Sequence, residues 1–178
     1  MDFDKIEEQN MGGQLYRLNQ IGGYKATALH DILKSYTSNA IEVRTEKFTE
    51  SSPTHEFMAA AFDNMEARRT MFNVWKKSWN EMNSPLFIDG RLNMEGFQIF
   101  CVTPDTADKY EMEYLFSDEE VENAACSMQQ TTHTAMMIGG HMTAFFTNHI
   151  TNIHLRNKIR EVPFMYEYFT PMNLTITV

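Results

Sequence analysis

The stretch FMAAAFDNMEARRTMF, residues 57–72, decides the fold class. Its first part, residues 57–62, is a short apolar run closed by Asp63-Asn64. A brief run of this kind reads as a strand buried on both faces, as in a parallel sheet. Asp and Asn are helix-capping residues, and the residues after them are helical in period. Over residues 65–82, Phe72, Trp75, Trp79 and Met82 recur at three- and four-residue spacing, which places one apolar stripe on a helix. A buried strand running straight into an amphipathic helix is half of a β-α-β unit.

Working outward, residues 85–89 and 94–102 predict two strands around a turn at Asp89-Gly90-Arg91. Residues 134–153 predict a long helix carrying Ala135, Ile138, Met142, Phe145, His149 and Ile153 on one stripe. Residues 162–178 hold two strand-like runs split by Pro171. Upstream, residues 1–5 read as the tail of a strand, and Gly12, Gly13, Gly22 and Gly23 punctuate a loop. A helix is predicted over 24–36, with Ala26, Leu29 and Leu33 on one face. The alternation of Ile41, Val43, Thr45 and Lys47 predicts an exposed edge strand over 40–48, ended by Ser51-Ser52-Pro53. Residues 106–123 are acidic and read as an exposed loop with short helical pieces. The expected class is α/β, with a mainly parallel sheet, helices on both faces and an antiparallel C-terminal extension.

Composition bounds the function. The 178 residues carry 15 Lys+Arg against 24 Asp+Glu, a formal charge of −9, and suit one domain. With 43% hydrophobic residues, including 13 Phe, 7 Tyr and 14 Met, the chain has ample material for a core, which excludes wholesale disorder. The acidic balance argues against a phosphate-backbone surface, so nucleic acid is not an expected partner, while a small cationic pocket remains open. Cys101 and Cys126 make neither a disulfide framework nor a Cys-x-x-Cys zinc motif. No apolar run nears the roughly 18–20 residues that span a bilayer, and the start, MDFDKIEEQN, is unlike a signal peptide. A cytoplasmic location without a membrane partner is the expectation.

In open α/β sheets ligands sit beyond the carboxyl ends of the strands. Asp2, Asp4 and Asp63 fall at such ends. A carboxylate at the first place can accept hydrogen bonds from a ribose, and one at the second can hold Mg²⁺ beside a triphosphate. Lys25 comes after Gly22-Gly23 at a helix start, where side chain and free N–H groups suit a phosphate. Each residue has an ordinary alternative: Asp63 or Asn64 caps the helix, and Lys25 is a solvated lysine. Arg68-Arg69 reaches toward a phosphate or is solvated. Gly139-Gly140 permits close packing, within the chain or against a second subunit. The six histidines lack the i, i+4 pairing of a helical metal site. The acidic run over 117–122 is a solvated face or opposes a basic partner.

The order of these elements resembles the ThiF/MoeB/HesA group, relatives of the ubiquitin-activating enzymes. MDFDKIEEQNMGGQ is similar to the group's Asp-x-Asp-x-Val-x-x-x-Asn-Leu-x-Arg-Gln run, and IGGYKATAL to its Ile-Gly-x-x-Lys-Ala-x-Ala. FDNMEARRTMF resembles its strand-end Asp-Asn-x-x-x-Arg element, and PLFIDGRLNMEGFQIFCVTP the strand pair after it. ENAACSMQQTTHTAMMIGGHMTAFF resembles its cysteine-bearing crossover and long helix.

The resemblance implies a Rossmann-like adenylyltransferase domain over 1–178. Such a domain transfers AMP from ATP to the C-terminal carboxylate of a ubiquitin-like or sulfur-carrier protein ending in Gly-Gly. ATP and Mg²⁺ are the implied cofactors, and a homo- or heterodimer the implied assembly. Carried over by position, Asp2 would hold the ribose, and Asn10 and Gln14 would line the nucleotide site. Lys25 would contact phosphate, and Asp63 would ligate Mg²⁺. Cys126 matches the crossover cysteine that in some members bonds the activated carrier; its ordinary alternative is a small buried hydrophobe. Cys101, alternating within a strand, reads as core.

Three departures accompany the match. Gly13 stands where the group has arginine, with Arg17 a candidate substitute. The paired cysteines of the group's structural zinc are missing, so no zinc is expected. The group's first strand and Gly-x-Gly-x-x-Gly turn would lie before Met1, so the domain reads as N-terminally incomplete. These departures support a second expectation: a non-catalytic fragment or subunit that keeps the sheet and serves as a partner-binding module.

Overall fold

The computed structural model describes residues 1–92, 96–116, 132–169 and 174–178. Its centre is a five-stranded sheet in the order β1-β2-β3-β4-β5, which is also the chain order. The strands are β1 (Phe57–Ala60), β2 (Leu86–Leu92), β3 (Gly96–Val102), β4 (Met165–Phe169) and β5 (Leu174–Thr177). Among the described residues four α-helices accompany them: α1 (Lys25–Leu33), α2 (Met65–Ser78), α3 (Ala107–Tyr114) and α4 (Thr132–Leu155).

The decisive stretch folds as a strand running into a helix, but β1 is an edge of the described sheet with Ala59 exposed, not a strand buried on both faces. β1 runs into α2, and α2 returns the chain to β2, which lies parallel to β1 with Ala60 opposite Asp89. The α/β class and the helices on both faces are borne out. The balance of the described sheet differs from the expected mainly parallel one: β1–β2 is its single parallel pair, and β2–β3, β3–β4 and β4–β5 are antiparallel. For β2–β3 and β4–β5 the connections are short and allow only antiparallel neighbours, because a parallel return needs a crossover of a dozen residues or more. In contrast, β3 and β4 pair antiparallel although α3 and α4 lie between them in the chain. The antiparallel extension therefore makes up most of the described sheet.

Alternation along the strands builds two cores. Phe87, Phe100 and Val102 point to one face, where Phe72 and Trp75 of α2 and Tyr110 of α3 cover them. Leu86, Ile88, Phe97, Ile99 and Cys101 point to the other, under Ile138, Met142 and Phe145 of α4. Aromatic edges meet faces in the first core, with the Phe72 and Phe87 ring centroids 5.5 Å apart at 75°.

Several local expectations change. Asp89-Gly90-Arg91 is not a turn but the interior of β2. Gly90 fits there because α4 crosses closely: a Cβ on it would stand 2.6 Å from the Met142 sulfur. Residues 40–48 form no strand, since no described neighbour supplies a ladder; Arg44 instead pairs with Glu42 at 2.7 Å. Residues 1–5 contribute one antiparallel bridge, Lys5–Tyr24. The acidic stretch after Thr106 begins with α3, whereas 117–122 lies outside the described residues. Gly139 and Gly140 have nothing near their Cβ positions, so they serve no close packing against described residues of the chain. No helix among the described residues is long and apolar enough to cross a membrane.

Candidate functional site

The loop-rich N-terminal segment is fastened back on itself by backbone hydrogen bonds. The N–H of Ile6 donates to Gly23 at 2.9 Å, and the N–H of Gly22 donates to Ile6 at 2.8 Å. Gly22 has φ 85°, a left-handed conformation open to glycine at little cost. This turn sets the start of α1 against residues 4–6. The N–H of Lys25 donates to the Asp4 carbonyl at 2.9 Å, and its Nζ pairs with the Asp4 carboxylate at 3.0 Å.

Beyond the end of β1, this segment and the β1–α2 bend enclose a cleft of about 290 Å³. Asp4, Lys5, Glu7, Gln9, Asn10, Lys25 and Asp63 line it. Three of the expected site residues, Asn10, Lys25 and Asp63, thus share one cleft although they are far apart in sequence. Asn64 is the residue that caps α2, its Oδ1 accepting from the Ala67 N–H at 2.8 Å. The cap needs nothing from Asp63, whose exposed carboxylate faces the cleft and accepts from the Asn64 side chain at 3.0 Å. The Asn10 side chain orders its own loop, its Oδ1 accepting from the Glu7 N–H at 2.8 Å.

The other candidates stand elsewhere. Asp2 does not line the cleft; its Oδ1 accepts from the Asp4 N–H at 2.8 Å and so orients Asp4. Gln14 is tied by its N–H to the Asn10 carbonyl at 3.0 Å and is also outside the lining. Arg17 is exposed, with its N–H on Gln20 Oε1 at 2.9 Å, and does not line the cleft. Cys126 lies outside the described residues. Cys101 is buried among the core residues of β3, and burial pushes its thiol up to about 12.

Asp4 is the site residue whose partnership sequence reasoning missed. The Asp-x-Asp spacing marks two carboxylates but not which one Lys25 meets. Tyr16 lies in the field of both: burial, then the charges of Asp2 and Asp4, raise its phenol above the ordinary value and keep it protonated. Of the two arginines after the bend, Arg68 is buried and Arg69 is exposed. Arg68 is 4% exposed, with Nε on Asp89 at 2.6 Å and Nη2 on the Phe62 carbonyl at 2.6 Å. Arg69 donates to the carbonyls of Leu115 and Phe116.

Three carboxylates and two lysines in the lining leave the cleft slightly acidic. A polyphosphate alone would meet repulsion there, and a bound divalent cation would reduce it. Among the described residues no three metal-ligating side chains converge. Mg²⁺ suits these residues, because it keeps waters, binds phosphate oxygens and needs only one or two carboxylates.

No protein of curated function matches the chain by sequence. Among solved structures, the crystal structure of selenomethionine PaaA superposes with a TM-score of 0.63 at 14% identity, covering 99% of this chain. The chain spans 62% of the length of that protein, and a likeness at this identity concerns the fold alone. The model of the ThiF family matches residues 1–174, and the chain belongs to that family.

Proposed function

We propose that this chain is an adenylating domain that binds Mg²⁺–ATP in the cleft beyond β1. In this reading it transfers AMP to the C-terminal carboxylate of a ubiquitin-like or sulfur-carrier protein ending in Gly-Gly. The observation that carries the reading is the convergence of Asn10, Lys25 and Asp63 on one cleft with Asp4. Family membership supports the same direction.

The reaction joins two anions, so positioning and charge neutralisation supply most of the catalysis. A carboxylate oxygen of the carrier forms a bond to the α-phosphorus, and the bond to the bridging oxygen of the β-phosphate breaks. Pyrophosphate leaves with that electron pair, and no proton moves. Bound Mg²⁺ supplies charge neutralisation on the phosphate oxygens. Asp63 would hold it, and Lys25, exchanging Asp4 for phosphate, would offset charge on the phosphates. Asn10 would contact the nucleotide from the opposite wall. The roles carried over to Asp2, Gln14 and Arg17 require a nucleotide that reaches past the lining. Cys126 carries no step in this reading.

The proposed assembly is a dimer through α4. Its 24 residues hold no Asp, Glu, Lys or Arg, yet Met136, Phe146, Ile150 and Ile153 are exposed. Analytical ultracentrifugation tests it: dimers are expected for the unaltered chain and monomers for Phe146→Glu.

ATP–pyrophosphate exchange stimulated by a small protein ending in Gly-Gly tests the activity. Exchange lost in Asp63→Asn and Lys25→Ala is the expected result; none in the unaltered chain with its natural carrier would refute the activity. The rival reading, a partner-binding module without catalysis, is favoured by one observation: Lys25 is occupied by Asp4. Ligand linkage separates the two, because a competent site raises thermal stability with Mg²⁺–ATP and an idle one does not.

A further inference from the structure

Arg68 is buried at the foot of α2, yet it serves more than the core. Its Nε donates to Asp89 Oδ1 at 2.6 Å and its Nη2 to the Phe62 carbonyl at 2.6 Å. Phe62 is the residue before Asp63, so one guanidinium ties the β1–α2 bend to the neighbouring strand β2. The anchor is itself held. Asp89, fully buried, accepts at Oδ2 from Arg91 Nε at 2.6 Å and from the Tyr110 hydroxyl at 2.8 Å. Arg91 in turn donates to the Tyr110 oxygen at 3.2 Å. A carbonyl at a strand end has no ladder partner of its own, and a planar fork of donors can satisfy it while gripping a carboxylate. On the far side of the bend, Asn64 caps α2 through Ala67. Asp63 stands between these two fastenings.

We propose that Arg68 is a positioning residue for Asp63: by clamping the Phe62 carbonyl to Asp89, it fixes the bend that aims the Asp63 carboxylate into the cleft. The inference rests on the adenylating reading only for what Asp63 does, not for the clamp. A lysine in its place keeps the charge and loses the fork, so Arg68→Lys separates geometry from electrostatics.

The experiment has two arms on the full chain. Hydrogen–deuterium exchange compares the peptides covering 61–68 with those of β3. In Arg68→Lys, exchange over 61–68 should rise about tenfold or more while β3 is unchanged, since charge-assisted bonds are lost locally. A uniform rise across both, or no rise, overturns the clamp. If Arg68→Lys fails to fold, the unaltered chain still decides: amides over 62–67 as fast-exchanging as the loop over 37–47 overturn it, and protection at the level of β3 supports it.

The second arm titrates Mg²⁺ at fixed ATP and reads thermal stability. Arg68→Lys should raise the half-saturating Mg²⁺ several-fold, and should add nothing in an Asp63→Asn background, as expected of two residues acting as one. A full additive effect in that background overturns the positioning role. A chain that shows no Mg²⁺–ATP response at all refutes the functional reading, while the exchange arm continues to test the clamp.

Discussion

Lys25 and Asp4 are joined twice, by an ion pair of 3.0 Å between side chains and by a 2.9 Å hydrogen bond from the Lys25 N–H to the Asp4 carbonyl. The backbone bond survives any change of side chain, so substitution at Asp4 tests the ion pair by itself. Asp4 is 45% exposed, which makes the pair worth at most about 1 kcal/mol to folding. Its weight falls on ligand binding. Asp4→Asn should tighten Mg²⁺–ATP binding about two- to fivefold, because it frees Lys25 and removes one carboxylate from the cleft. Isothermal calorimetry at low salt reads the change, and weaker binding would show that Asp4 contacts the ligand itself.

The Asp89 cluster should be the most sensitive polar site in the fold. Asp89→Asn leaves Arg68 and Arg91 facing a neutral acceptor, and breaking a buried pair on one side costs about 3–5 kcal/mol. Tyr110→Phe removes a neutral donor to the same carboxylate and the acceptor of a longer bond from Arg91, and should cost about 1–2 kcal/mol. Urea unfolding monitored by tryptophan fluorescence measures both.

Gly90 sets how closely α4 lies on the sheet. Gly90→Ala meets the flexible end of Met142, which can move aside, so its effect should be small. Either Cβ also lies 3.2 Å from Ile138 Cδ1, but Gly90→Leu drives further atoms into that space and should cost about 1–3 kcal/mol through overpacking. Equal effects of the two changes would show that α4 is not seated as described.

Cys101 gives a pH signature. Its thiol rises from 9.0 to about 12 because burial penalises the thiolate. A folded-state pKa above the unfolded one means stability is full below pH 9 and declines as pH rises from about 9 toward about 12. Replacing Cys101 by Val should flatten that decline relative to the unaltered chain. Thiol labelling of the native protein near neutral pH, mapped by mass spectrometry, should leave Cys101 unmodified.

Legibility in the sequence tracks the locality of each signal. The step from β1 through the Asn64 cap into α2 is readable because run, cap and stripe are contiguous. The span of α4 is readable for the same reason. Pairing across the fold is not. The alternation over 40–48 has the period of a strand, but period alone does not supply a neighbour. Gly90 has the look of a turn residue, and only the approach of α4 explains it as a strand glycine. Asp4 and Asp2 are chemically equivalent on paper; the turn at Gly22 decides which one Lys25 meets. Arg68 reads as a phosphate contact or a solvated charge, and its acceptor Asp89, 21 residues on, is marked by no periodicity.

The most direct test of the central claim is calorimetric titration of the chain with ATP in the presence and absence of Mg²⁺, repeated for Asp63→Asn. One site per chain, Mg²⁺-dependent and weakened at least about tenfold by Asp63→Asn, is the expected result. Binding that ignores both Mg²⁺ and Asp63, or no binding under any of these conditions, would contradict the placement of an adenylating site in this cleft.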